Sequence, residues 1–190
     1  MSGRRTLLKH RALDWNQPIN HLPLFSMPKE FDVRVSGVSL HFLPLQMRVP
    51  LKFGPETVSS VTCARVGMRV RDARGRVAEG WGETPLSVSW VWPSALTYDA
   101  RQQALMSFCE RLAEQWIKWD RSGHPMEIGS AFLEERLFAL LEEFNIRLAA
   151  PGVVGYAKDG GNSPALPEPM PWLAALVCCS AFDLALHDAY

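Results

Sequence analysis

The stretch of sequence that decides the fold is residues 58–83, VSSVTCARVGMRVRDARGRVAEGWGE. Its first part alternates between apolar and mostly polar residues, which predicts an antiparallel strand with one buried face and one face in water. Residues 72–75, DARG, predict a tight turn in which Gly75 takes positive φ, and residues 77–83 predict the returning strand. The predicted inner face holds Thr62, Ala64, Val66, Met68 and Val70, and the predicted outer face holds Cys63, Arg65, Gly67, Arg69 and Arg71.

Residues 33–45 precede this hairpin and predict a further strand, because apolar and polar residues alternate there as well. Pro44 and Pro50 cannot donate a ladder hydrogen bond, so the strand is expected to give way to an edge or a loop. Residues 50–57, PLKFGPET, are accordingly predicted as a loop. The segments together predict a three-stranded antiparallel meander. The inward-facing residues of its first strand are expected to be Val38, Leu40 and Phe42.

Two helices are predicted after the sheet, because apolar residues recur at steps of three and four. The first covers residues 97–121, and Gly123 is expected to cap its C-terminus. The second is centred on residues 133–148 and has a glutamate-rich opposite face. Residues 151–170 are rich in glycine and proline and predict a loop. The two apolar stripes consist of Leu105, Phe108, Leu112, Trp116 and Trp119, and of Leu133, Leu137, Leu140, Leu141, Phe144 and Leu148.

Residues 171–190, PWLAALVCCSAFDLALHDAY, are apolar on almost every side of a helix, and such helices are normally buried all round. We expect this helix to be covered by polypeptide that follows it, and the chain to be truncated before that polypeptide. A membrane span is the competing interpretation, since about 20 apolar residues suffice to cross a bilayer. Asp183, His187 and Asp188 disfavour it, because an acidic side chain costs about 2.5–3.5 kcal/mol near the bilayer centre.

The composition argues against several classes of function. Twenty basic and twenty acidic residues cancel, so no global field attracts nucleic acid or an anionic membrane. The four cysteines lack the C-x-x-C spacing of metal sites and are expected to be buried, reduced thiols of a cytoplasmic protein. Residues 1–30 lack the apolar segment typical of a secretory signal and are predicted to form an irregular extension.

Three motifs occur in order along the chain. They are RVPLKFG at residues 48–54, GWGE at residues 80–83 after the valine-rich strand, and SAFDLALHDAY at residues 180–190. In this order they resemble the N-terminal capping domain of the mandelate racemase and muconate lactonizing branch of the enolase superfamily. The resemblance covers roughly residues 33–190.

This resemblance implies an α+β fold like the enolase N-terminal domain, with the three-stranded antiparallel meander followed by a helix bundle. It divides the chain into an extension (1–30), a capping domain (31–170) and a helix (171–190) that leads into an absent TIM-like barrel. It also implies proton abstraction next to a carboxylate, with Mg²⁺ stabilising the enediolate in the parent enzyme. The metal ligands and bases would lie on barrel strands, so no catalytic and no metal-binding residue is expected in this chain.

The resemblance further implies that two loops of the cap reach over the substrate. The first matches residues 51–57, in which Lys52, Phe53 and Glu56 are candidate substrate contacts. Lys52 would present a point charge to a substrate carboxylate. The alternative is a solvent-exposed loop whose Phe53 packs onto its own sheet, and the residues alone do not separate the two.

The second loop matches residues 84–93 and offers Trp90 and Trp92 as candidate walls of a substrate pocket. Two tryptophans provide a large contact area, and packing between the cap and the barrel is the favoured alternative for both. Glu83, which ends the strand before this loop, is expected to be structural rather than catalytic.

Two functions follow from these expectations. The first is the substrate-capping part of a Mg²⁺-dependent racemase, epimerase, cycloisomerase or dehydratase acting on a small carboxylate, inactive without its own barrel and homo-oligomeric in the parent enzyme. The second is a stand-alone binding or scaffolding module derived from the cap. Neither nucleic acid nor a membrane is expected as a partner. His187 and Asp188 are not expected to form a dyad, because adjacent helical residues do not face each other.

Overall fold

The computed structural model describes residues 29–53, 56–149 and 168–190. The predicted extension (1–30) and the predicted loop (151–170) lie largely outside these residues. Strands β1 to β4 span Val33–Phe53, Glu56–Asp72, Val77–Pro85 and Ser122–Gly123. Helices α1 to α5 span Val88–Val91, Tyr98–Lys118, Pro125–Phe132, Phe138–Ala149 and Trp172–Ala189, and a π-helical turn, Leu133–Leu137, joins α3 to α4.

The sheet is antiparallel with the strand order β3-β2-β1-β4. The predicted meander is therefore present, but the predicted count of three strands is wrong. The fourth strand, β4, is two residues long and pairs Gly123 with Val33. Periodicity cannot reveal so short a strand, because two residues show no alternation. The same pairing overturns the expectation that Gly123 caps a helix, since α2 ends at Lys118.

β1 is longer than predicted and continues through the segment expected to be a loop. Its last residues pair with β2 as far as Phe53 opposite Glu56. The register shifts between Gln46 and Leu51, which places Pro50 in a bulge, one of the few positions in a sheet where proline is tolerated. Pro50 therefore lies in an interruption of the ladder, Pro44 stays in register opposite Thr62, and neither proline ends the strand.

The predicted faces of β2 are confirmed, although Cys63 and Gly67 on the outer face are buried as well. The predicted turn after β2 is also confirmed. Gly75 has a φ of 81°, and Asp72 Oδ1 accepts the backbone N–H of Arg76 at 2.8 Å. The buried inner residues are Thr62, Ala64, Val66, Met68 and Val70.

Both predicted helical stripes contribute to the core. Thr97 caps α2, because its hydroxyl accepts the backbone N–H of Ala100 at 3.3 Å. Leu133 is exposed, since the π-helical turn that begins there changes the rotation per residue and moves it off the stripe. The sequence patterns missed α3, in which Ile128 and Phe132 are buried. The buried members of the stripes are Leu105, Phe108, Leu112, Trp116, Leu137, Leu140, Leu141 and Phe144.

Helix α5 packs directly on the backbone of β3 at two glycines. A Cβ atom at Gly80 would lie 2.0 Å from the backbone nitrogen of Ala189. A Cβ atom at Gly82 would lie 2.1 Å from the carbonyl oxygen of Ala181. Any side chain at either position would have to push the helix away from the sheet. The GWGE motif therefore sets the distance between α5 and the sheet.

Two hydrogen bonds set the direction and the lengthwise position of α5 on β3. The backbone N–H of Trp81 donates to Asp188 Oδ2 at 2.8 Å. The hydroxyl oxygens of Thr84 and Ser180 lie 2.7 Å apart. Since the later strand residue meets the earlier helix residue, α5 runs antiparallel to β3.

Within the described residues α5 is buried on one side and exposed on the other, so the expected burial on all sides is not observed there. The helix is long and apolar enough to cross a membrane, with a mean hydropathy of 1.4, and half of that span is buried inside the protein. A core helix of a soluble protein has the same length and composition. The buried side holds Ala174, Ala175, Cys178, Cys179, Ala181, Phe182, Ala185, Leu186 and Ala189, and the exposed side includes Trp172, Leu173 and Leu184.

The close approach of α5 to β3 predicts a large effect of one methyl group. Gly82→Ala should lower the free energy of unfolding by about 3 kcal/mol, because the new Cβ meets helix backbone that cannot rotate away. Gly37→Ala is the matched control in the same sheet, since its Cβ would lie at an ordinary 3.5 Å from the Cβ of Arg69. Urea denaturation followed by circular dichroism measures both. Equal effects of the two substitutions would contradict the proposed packing.

Candidate functional site

The two segments predicted to face a substrate leave the sheet at the same end. β2 and β3 are antiparallel with Cys63 opposite Pro85, so the end of β3 lies toward the start of β2. The β1–β2 hairpin continues past this level to the pair Phe53 and Glu56. Helix α1 begins shortly after Pro85. We call this the hairpin end of the sheet.

The hairpin itself presents Lys52, whose side chain is exposed and whose backbone pairs with Thr57. Phe53 and Glu56 are backbone partners in the last pair of the ladder. Their side chains lie outside what the structure describes, as do residues 54–55. An exposed lysine at this place offers a point charge to an anionic group. Substrate contact by Lys52, Phe53 and Glu56 stays a prediction.

The segment after β3 contains a short helix where a loop was predicted. The backbone N–H groups of Val91 and Trp92 donate to the carbonyl oxygens of Ser87 and Val88, each at 3.0 Å. The side chains of Val88 and Val91 are buried, as is that of Leu86 just before them. The helical turn is therefore attached to the core along one side.

The two tryptophans of this turn have opposite environments. Trp90 is 55% exposed, whereas Trp92 is only 2% exposed. Arg101 on α2, itself 1% exposed, donates from Nη1 to the carbonyl oxygen of Trp92 at 2.6 Å. Trp92 is thus buried within this domain and not at a surface between a cap and a barrel, whereas the ring of Trp90 is open to solvent. Sequence reasoning missed Arg101, because an arginine on an amphipathic helix is normally exposed.

The side chain of Glu83 lies on the outer face of the sheet and has a partner there. Its carboxylate forms an ion pair with Arg65 on the neighbouring strand, with Nη2 and Oε2 2.7 Å apart. In the adjacent row Trp81 lies over Gly67, where a Cβ atom would come within 3.0 Å of the ring. The ring centroid of His41 lies 6.3 Å from that of Trp81. Such cross-strand packing stabilises a sheet, so these residues support the structural role expected for Glu83.

All four cysteines are free and buried, as predicted. Burial raises the pKa of the Cys179 thiol to about 12, and the negative charge of Asp183 adds to the rise. Burial also raises the pKa of Cys178, which lies beside Cys109 and donates to the carbonyl oxygen of Leu105 at 3.7 Å. A thiol reacts and binds metal as the thiolate. Cys178 and Cys179 therefore act as packing residues at neutral pH.

His187 and Asp188 of α5 have separate partners. His187 Nε2 lies 3.8 Å from Asp183 Oδ1, and Asp188 accepts the backbone N–H of Trp81. The prediction that His187 and Asp188 do not face each other is thus confirmed. Among residues 29–53, 56–149 and 168–190, no three His, Cys, Asp or Glu side chains converge on a possible metal position. These residues do not fit Mg²⁺, which prefers octahedral oxygen coordination.

The chain is similar to several solved structures. One is an enolase from alpha proteobacterium BAL199 with bound Mg, at 12% identity over 83% of this chain and 31% of that one, with a TM-score of 0.38. Another is a mandelate racemase/muconate lactonizing protein from Herpetosiphon aurantiacus, at 13% identity over 82% of this chain and 30% of that one, with a TM-score of 0.34.

A third is the dipeptide epimerase from Enterococcus faecalis V583 complexed with Mg and the dipeptide L-Leu-L-Tyr. It shares 13% identity over 63% of this chain and 27% of its own, with a TM-score of 0.32. The chain thus spans less than a third of the length of these enzymes. No protein-family model matches the sequence, and no curated protein matches it.

The contrast between the two tryptophans predicts opposite effects of substitution. Trp92→Ala should lower the free energy of unfolding by about 3–5 kcal/mol, because it empties a core position. Trp90→Ala should change it by no more than about 0.5 kcal/mol, since the ring is largely exposed. Urea denaturation of both variants measures this difference. A loss of stability in Trp90→Ala as large as that in Trp92→Ala would show that Trp90 belongs to the core.

Proposed function

We propose that this chain is the substrate-capping part of a Mg²⁺-dependent enzyme of the enolase superfamily. The parent enzyme would abstract a proton next to a carboxylate and act as a racemase, epimerase, cycloisomerase or dehydratase. The chain by itself would have no turnover, and its role would be to enclose and select the substrate. The parent is proposed to be a cytoplasmic homo-oligomer.

The observation that carries this proposal is the two-sided environment of α5. One side of the helix is fixed to β3 at Gly80 and Gly82. The exposed part of the helix carries Trp172, Leu173 and Leu184, with Leu184 at 51%, beside the exposed Asp183, His187 and Asp188. Large apolar side chains that share an exposed helix face are typical of a surface that another element covers. A barrel that follows in the same protein is the occupant we propose.

The hairpin end of the sheet supports the same role. The hairpin with Lys52 and the turn with Trp90 leave the sheet on the same side, although they are far apart in sequence. A cation and an aromatic ring at the same end of the sheet would contact different parts of a carboxylate substrate bound there. This chain would then bind and position the substrate and exclude water from it.

The chemistry itself would lie outside the described residues. When bound, Mg²⁺ would stabilise the negative charge that develops as the α-proton leaves. The described residues offer no converging set of oxygen ligands for it, so we assign no step of the reaction to them.

The proposal predicts activity only in a longer protein. The DNA that follows codon 190 should encode a barrel, and the continuous protein should exchange the α-proton of a carboxylic acid for deuterium in D₂O. ¹H NMR with mandelate, a dipeptide and a sugar acid measures this exchange, and EDTA should abolish it. Residues 1–190 alone should show none. A following sequence that encodes no barrel, or a barrel-containing protein that exchanges no carboxylic acid, would refute the proposal.

Substitution of Lys52 tests whether this residue contacts the substrate. In the continuous protein Lys52→Ala should lower kcat/KM about tenfold, as expected for losing one charge on the substrate. Lys118→Ala is the matched control, since Lys118 is equally exposed but lies at the end of α2. Equal kcat/KM values for the two variants would show that Lys52 does not contact the substrate.

The alternative function is a stand-alone binding or scaffolding module. It is favoured by the core of the described residues, which already encloses large side chains such as Trp92, Trp116, Phe132, Phe144 and Phe182. A chain with such a core can fold without a further domain. In that case the exposed side of α5 would be covered by self-association.

Sedimentation of residues 1–190 separates the two functions. A stand-alone module should be a folded oligomer of one size, and Leu173→Glu with Leu184→Glu should convert it to a folded monomer. A cap without its barrel should instead bind the dye ANS and aggregate, and the same double substitution should reduce both. Leu186→Glu is the control, because Leu186 is fully buried and a charge there should unfold the chain. A folded wild-type monomer that binds no ANS would contradict both functions.

A further inference from the structure

Arg101 occupies an unusual position for a charged side chain. It lies on α2 with 1% of its surface exposed, and burying a guanidinium has a large desolvation cost. A methionine or leucine would fill a similar volume without that cost. Two of its hydrogen bonds go to backbone carbonyl oxygens next to α1 and at the start of α2. Nη1 donates to the carbonyl oxygen of Trp92 at 2.6 Å, and Nε donates to that of Thr97 at 3.4 Å.

The carbonyl of Trp92 belongs to the residue that ends α1. With φ at −140° and ψ at 69°, Trp92 leaves the helical conformation, so its carbonyl oxygen needs a donor from outside the helix. A helix of four residues is not stable by itself. Arg101 supplies the missing donor, with a charge-assisted hydrogen bond that is stronger than a neutral one. The end of α1 is thereby tied to α2.

The hydrogen bond from Arg101 to Trp92 holds the turn that carries the exposed side chain of Trp90. Val88, Val91 and Trp92 are buried, whereas the ring of Trp90 projects from the same turn. A large aromatic ring on a turn that is held at its base loses little entropy on contact with a ligand. We propose that Arg101 is a positioning residue, which holds the α1 turn so that Trp90 is presented in one orientation. The inference rests on the proposed function of Trp90 as a wall of the substrate pocket.

The test uses residues 1–190 carrying Leu173→Glu and Leu184→Glu, which are expected to reduce aggregation, labelled with 5-fluorotryptophan. Trp90→Phe assigns the Trp90 signal by ¹⁹F NMR. Arg101→Met and Arg101→Gln both remove the hydrogen bond to Trp92. Each should move the Trp90 signal toward its position in urea-unfolded chain and broaden it, while the signals of the remaining tryptophans outside α1 stay in place. Gln102→Ala is the matched control, because it removes the neighbouring 2.7 Å hydrogen bond to Thr62 Oγ1 without touching α1.

An unchanged Trp90 signal in either folded Arg101 variant would overturn the inference, as would an equal change in Gln102→Ala. If neither Arg101 variant folds, the inference also fails, because Arg101 is then a residue of the core and not of the turn. In the continuous enzyme, Arg101→Met should raise KM and leave kcat nearly unchanged. The ¹⁹F result does not depend on turnover, so failure of the proposed function and failure of this inference give different outcomes.

Discussion

The contact between the backbone of α5 and the backbone of β3 is the constraint on which the rest of the structure depends. It exists because Gly80 and Gly82 have no Cβ, and because Asp188 binds the free N–H of the intervening Trp81. With the helix this close, the small residues of α5 fill the space above the inner face of the sheet. Phe182 and Leu186 of the same helix are fully buried in the core.

That constraint connects the fold to the proposed role. Since α5 is fixed to the edge strand, its exposed part, which carries Leu173 and Leu184 beside Asp183 and His187, is the surface proposed to meet a barrel. The strand that carries the two glycines continues directly into the turn of Trp90. The same element therefore positions the surface proposed to meet a barrel and the ring proposed to meet a substrate.

Much of the fold could be predicted from residue patterns, and the errors have physical causes. The alternation in residues 58–70 and the turn at Gly75 were predicted correctly, because both depend on neighbours in sequence. The bulge at Pro50 and the strand at Gly123 were missed, because each depends on a partner strand far away in the chain. Leu133 was misplaced because a π-helical turn breaks the helical period.

The sequence by itself determined the meander, helices α2, α4 and α5, and the resemblance to a capping domain, since these follow from local periodicity and motif order. It also singled out Lys52 and Trp90 as candidates. Only the tertiary structure decided that Trp92 is buried while Trp90 is exposed, and that Arg101 is buried and bonded to the backbone of Trp92. The physical reason is that burial and hydrogen bonding depend on which distant segments meet, which a linear pattern does not encode.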